Sequence, residues 1–177
     1  QTCALPILDF GGTGSGHSFV ATGYTFGFKE IVILASERHF GDDIDPDKLG
    51  VLFTDFVKKV NHKYGYAEIA YCDSAEQVLI RGLRNSAIKE GLTLRIENAW
   101  KSSINDRINL TTRLIAQDRL KYTNDSETFR EALCTAIWNP KEITKNERLD
   151  DGTSDIDTLD GFEYTIEREI RRLIEVY

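Results

Sequence analysis

Five aspartates, Asp150, Asp151, Asp155, Asp157 and Asp160, fall within eleven residues of this chain. The last two enter a stretch with helical spacing, where a separation of three places them on one face about one turn apart. Like charges stacked in this way repel. A hard divalent cation such as Mg²⁺ or Mn²⁺ between them would turn repulsion into binding, because both ions take carboxylate oxygens. An acidic first turn complementing the helix dipole is the competing account. Two further aspartates close apolar runs that read as strands. Asp9 ends the run 4–10 and Asp73 follows the run 67–72, and ligands of α/β sheets collect at the carboxyl ends of strands. Taken singly, Asp9 is a turn residue and Asp73 a helix N-cap. Taken jointly, Asp9, Asp73 and Asp160 are three carboxylates from distant segments. That set suits two-metal phosphodiester hydrolysis, with ions about 3.5–4 Å apart.

The glycine-rich segment Gly11-Gly-Thr-Gly-Ser-Gly-His17-Ser18 differs from a phosphate-binding P-loop by a histidine where the lysine belongs. A P-loop must also open a helix, and Ser18 opens a β-rich run instead. A flexible turn between antiparallel strands, able to lie close to a phosphate, is the better reading. His17 is then a candidate DNA contact or a strand-edge polar residue. Basic candidates for a phosphate are Lys101 and Arg107 at the start of a helix, and Lys141, Lys145 and Arg148 ahead of the acidic motif. The alternating charges from Glu167 to Arg172 read as a solvated helix face.

The elements that must position these residues follow from periodicity. Strands are expected at 4–10, 17–28 and 30–40, the last two joined as a hairpin at Gly27-Phe28-Lys29. Helical spacing begins at Pro46, a strand follows at 67–72, and a helix over 75–90 stops at Gly91. A strand at 92–96, a helix over 103–117, a short strand at 119–123 and a helix capped by Asp125 or Ser126 come next. Residues 139–154 read as a polar loop, and a last helix runs from Ile156 to the end. Three antiparallel strands followed by αβαβα give an α/β mixed sheet with helices on both faces, in the element order of the ribonuclease H-like fold.

With 177 residues, 41% hydrophobic, the chain can bury a full core as one domain, 1–177. No apolar run reaches the ~18 residues of a membrane span, so no membrane partner is expected. The formal charge of −7 argues against a protein that coats nucleic acid, though not against an enzyme acting on it. Cys3, Cys72 and Cys134 lack the spacing of a zinc site or a disulfide frame. A start at Gln1 without methionine suggests a piece of a longer polypeptide.

Four segments resemble the C-terminal nuclease domain of phage terminase large subunits: Leu8-Asp9-Phe10-Gly11, Tyr71-Cys72-Asp73-Ser74-Ala75-Glu76, Asn98 to Ile108 with Lys101 and Arg107, and Asp157-Thr-Leu-Asp160-Gly-Phe-Glu-Tyr164. They span nearly the whole chain in the right order. The resemblance implies a ribonuclease H-like endonuclease that cuts concatemeric viral DNA with Mg²⁺ or Mn²⁺ during genome packaging. It places Asp9, Asp73 and Asp160 on two metals, and leaves Asp157 where relatives often carry histidine. It further implies double-stranded DNA, an N-terminal ATPase domain of the same polypeptide, a portal and a small terminase subunit as partners. The expected location is the host cytoplasm, transiently at the procapsid portal, and no nucleotide is expected in this domain. Two other functions compete: an actin- or sugar-kinase-like ATPase fragment, on the strength of Asp9-Phe-Gly-Gly-Thr13, and a non-catalytic docking module of a packaging motor.

Overall fold

The computed structural model describes residues 16–40, 44–73, 77–141, 148–149 and 155–175, together with the backbone of Cys3–Phe10. Strands β1 (Cys3–Phe10), β2 (His17–Tyr24) and β3 (Ile31–His39) form an antiparallel meander. Helix α1 (Pro46–Tyr64) leads to β4 (Ile69–Cys72), α2 (Gln77–Lys89) to β5 (Arg95–Asn98), and α3 (Ile104–Ala116) to β6 (Leu120–Tyr122). Helices α4 (Glu127–Thr135), α5 (Ile156–Ile166) and α6 (Ile170–Glu175) complete the described chain. The sheet order is β5-β4-β1-β2-β3-β6, with β4, β5 and β6 parallel to their neighbours. This is the mixed ribonuclease H-like sheet expected from the element order.

Local chemistry accounts for the element ends. Asp45 caps α1 by accepting from the Lys48 amide at 2.8 Å, and Pro46 supplies the first helical residue without needing a donor. The run expected as a strand over 17–28 stops at Tyr24, because Phe26–Phe28 form a 3-10 turn around Gly27 at φ +71°. The last helix is likewise shorter than expected. It breaks at a 3-10 turn over Glu167–Glu169 before α6 begins.

Helices cover both faces. On one, Phe53, Phe56 and Val57 of α1 and Ile80 and Leu83 of α2 pack on Phe19 and Ala21. On the other, Leu114, Phe129 and Phe162 from α3, α4 and α5 pack on Val20, Ile31 and Ile33. A β-bulge decides what the end of β3 shows to each face. Ala21 pairs with Ala35 and Thr22 with Ile33, so Leu34 is the extra residue. Alternation therefore changes parity at Leu34: Ile31 and Ile33 lie on the face covered by α4 and α5, and beyond the bulge so do Ser36, which meets α4, and Arg38, which meets α5. Without the bulge Arg38 would lie on the α1 face.

The α1–α2 contact is close enough to exclude a side chain. A Cβ on Gly50 would overlap the Ser86 hydroxyl and stand 3.0 Å from the Ser86 Cβ. Gly50→Val is expected to destabilise the fold by about 1–3 kcal/mol through overpacking. Ser86→Gly in the same chain should restore part of the loss, read as the urea midpoint.

Candidate active site

The carboxyl ends of β1 and β4 meet at the middle of the sheet. Ile7 pairs with Tyr71 and Leu8 with Cys72, so Asp9 and Asp73 are the next residues along two parallel, hydrogen-bonded strands. The side chain of Asp9 lies outside those described. That of Asp73 is largely buried and holds the Lys101 ammonium at 2.5 Å. Within β4, Ile69 and Tyr71 lie in the core on the α5 face, and Asp73 continues that alternation.

Helix α5 runs over the same face, packed on β1 and β2, with Asp155 as its N-cap accepting from the Thr158 amide at 3.0 Å. Its carboxylates meet arginines. Asp160 Oδ1 accepts from Arg148 at 2.8 Å and from Arg107 at 3.1 Å. Arg107 also faces Glu163 at 3.2 Å and Glu167 at 3.8 Å, and Arg148 contacts Glu163 as well. One turn earlier, Arg38 pairs with Asp155 at 3.2 Å and Asp157 at 3.0 Å. The repulsion between Asp157 and Asp160 is thus relieved by separate guanidinium groups, Arg38 of β3 on Asp157 and Arg107 and Arg148 on Asp160.

Burial sets the electrostatics. The Glu163 and Glu167 side chains are each 1% exposed. Burial pushes the Glu163 carboxyl above its usual range, against the downward pull of Arg148 and Arg107. Burial also works against the charge of Arg107, but Asp160 and Glu163 outweigh it and raise its pKa. Glu167 reaches across to the segment before α3, accepting from the Lys101 amide at 2.9 Å, the Ser102 amide at 2.9 Å and the Ser102 hydroxyl at 3.0 Å. A chain of contacts therefore runs from Asp73 through Lys101, Glu167 and Arg107 to Asp160.

Several sequence-derived candidates take different places. Arg107, read as a candidate phosphate contact at a helix start, is 8% exposed and spends its guanidinium on carboxylates. Arg148, read as part of a loop cluster tracking DNA, is buried at 7% side-chain exposure, with its backbone bridged to Trp138. His17 alternates with Ser18 and falls with Phe19 and His39 on the α1 face, away from α5. Burial and the neighbouring His39 hold its pKa down. Lys141 is exposed, and Lys145, like the glycine loop 11–15, lies outside the described residues. The segment from Glu167 to Arg172 is not a wholly solvated face. Glu167 is buried, and Arg168 lies 4.6 Å from the Tyr71 ring and 5.0 Å from the Trp100 ring.

Sequence reasoning missed Glu163, Glu167 and Arg38. For the two glutamates a signal existed: they follow Asp160 at spacings of three and seven, a polar stripe on an otherwise apolar helix. Arg38 had none, because its face depends on the bulge.

For a divalent cation, the donor chemistry fits. Asp73 and Asp160 offer carboxylate oxygens, the ligands hard dications prefer. Both guanidinium contacts of Asp160 fall on Oδ1, and no hydrogen bond among the described residues reaches Oδ2. Among the described residues no three carboxylate, histidine or cysteine side chains form a ready-made cage, and the Asp9 side chain is not among those described. Arg107→Met is expected to lower stability by about 3–5 kcal/mol, because it removes the cation shared by the buried Glu163 and Glu167 and leaves Arg148 alone to face Asp160 and Glu163. Arg171→Ala on the exposed side of α6 should stay within about 0.5 kcal/mol in the same urea titration.

No family model and no curated protein matches the chain. Solved structures do. The nuclease domain of g2p, the large terminase of bacteriophage SPP1, with bound Mn, superposes with a TM-score of 0.64 at 19% identity, over 94% of this chain and 86% of that one. The nuclease domain of the P22 large terminase gives 0.68 at 12% identity, over 96% and 87%. The large terminase of a thermophilic bacteriophage gives 0.69 at 15% identity, over 94% of this chain and 39% of that one. The motif resemblance and the tertiary structure thus point the same way, and the fold of this chain is that of the large-terminase nuclease domains.

Proposed function

We propose that this chain is a metal-dependent DNA endonuclease, the cutting domain of a viral packaging terminase. The observation that carries the reading is the register of β1 and β4, which sets Asp9 and Asp73 side by side at the carboxyl edge of the sheet, under the helix that bears Asp160. The likeness to terminase nuclease domains, one of them with bound Mn, supports it. Asp9, Asp73 and Asp160 would hold two Mg²⁺ or Mn²⁺ ions. When bound, such ions supply Lewis-acid activation of water and neutralise charge on the phosphate.

The chain's own groups do the rest. Arg107 and Arg148 fix Asp160 by two charge-assisted hydrogen bonds on one oxygen and so aim the other. Lys101, partly exposed beside Asp73, would meet a phosphate oxygen of double-stranded DNA. The reaction adds water across a P–O3′ bond and leaves 5′-phosphate and 3′-hydroxyl ends. Asp157, held by Arg38, supports the N-terminal turn of α5, and it is a candidate for a further metal ligand. In the full motor an ATPase domain, a portal and a small subunit would deliver the DNA, in the host cytoplasm and at the procapsid portal.

Asp9→Asn, Asp73→Asn and Asp160→Asn should each reduce Mn²⁺-dependent plasmid cleavage by more than about a hundredfold, since a misplacement of about 1 Å alone can cost that much. Circular dichroism of the three variants should match the parent. Undiminished cleavage by all three would remove the assignment.

A further inference from the structure

We infer that Glu167 is a positioning residue for Lys101, and through it for the charge balance at Asp73. The inference rests on the nuclease reading for its functional consequence, but its geometry stands independently. Glu167 lies in the 3-10 turn where α5 gives way to α6, and its carboxylate is buried. A buried carboxylate needs hydrogen bonds to offset its lost hydration. It finds them on the segment before α3: Oε2 takes the Lys101 amide, and Oε1 takes the Ser102 amide and hydroxyl. Arg107 balances the charge from the other side.

The backbone at Lys101 shows what this clamp does. Its φ is +55°, a left-handed conformation that a lysine adopts at a cost of order 1–2 kcal/mol. Such a residue persists only where its surroundings hold it, and strain of this kind collects at functional positions. The two adjacent amides, turned toward one carboxylate, form the anion-binding concavity that a left-handed residue allows. Held in that turn, the Lys101 side chain leaves the backbone toward β4 and reaches Asp73 Oδ1. In an extended conformation the same residue would send its side chain elsewhere. Glu167 therefore fixes the direction in which the lysine points, without touching DNA or metal.

The test combines exchange and kinetics on the 177-residue chain. Glu167→Gln keeps the size of the side chain but offers one acceptor oxygen and a donor where two N–H groups converge. Amide hydrogen exchange at Lys101 and Ser102 should accelerate by about tenfold or more in this variant, with the sheet amides unchanged. In plasmid cleavage with Mn²⁺, Glu167→Gln should lower kcat by about tenfold, leave KM for DNA within about twofold, and cause no further loss when combined with Lys101→Ala. Glu167→Asp, which retains both oxygens, should recover part of the rate. Unchanged exchange at both amides would overturn the inference. So would a loss from Glu167→Gln that persists undiminished in the Lys101→Ala background, because that is the pattern of a general structural defect. If the parent chain cleaves nothing with any divalent metal, the nuclease reading fails while the exchange experiment still decides whether Glu167 holds Lys101.

Discussion

The buried pairing of Arg107 with the carboxylates of α5 is the interaction on which the rest of this edge depends. Helix α5 is covered on nearly all sides, with Leu159, Phe162, Tyr164 and Ile166 in the core. Asp160 and Glu163 on this helix, and Glu167 in the turn that follows it, lie along one stripe. Burying Glu163 and Glu167 beside a partly buried Asp160 is costly unless cations come with them. Arg107 enters from α3 and Arg148 from the segment after α4, so the charges are neutralised by groups that tie three separate parts of the chain together. Arginine suits this role because its planar fork serves two carboxylates at once and stays charged when desolvated.

The same pairing links stability to chemistry. Asp160 is shared between the structural network and the candidate metal site, and the two arginines restrict it to one orientation. Glu167 carries the influence of the network to Lys101, and Lys101 carries it to Asp73. The site is thus held by a continuous run of charged contacts, with one end on the sheet and the other on α5. Preorganisation of this kind suits catalysis, since groups already in place need not reorganise as charge develops.

The sheet supplies the other half. Parallel pairing of β1 with β4 is what sets two strand ends level, and the meander places β2 and β3 beside them. The Leu34 bulge then turns Arg38 toward the N-terminal turn of α5, where Asp155 and Asp157 wait. A single inserted residue thereby decides which face receives the charge.

Much of this was legible in the sequence. Period-two and period-3.6 patterns located the six strands of the sheet and the helices to within a few residues, and the strand-terminal positions of Asp9 and Asp73 followed from them. The motif order added the family resemblance, which the superposed fold matches. What the sequence could not supply was the partner of each charge. Arg107 and Arg148 looked like phosphate contacts because a basic residue near a loop or helix start looks the same whether it faces DNA or a buried glutamate. Glu167 looked solvated because charge alternation along a helix usually is, and here the helix breaks at that residue. Local pattern determines secondary structure, since propensity and periodicity act over a few residues. Ion pairing at this site spans separations such as 53 residues between Arg107 and Asp160 and 119 between Arg38 and Asp157. Only the packing of α3, α5 and the bulged strand around one sheet edge decided those.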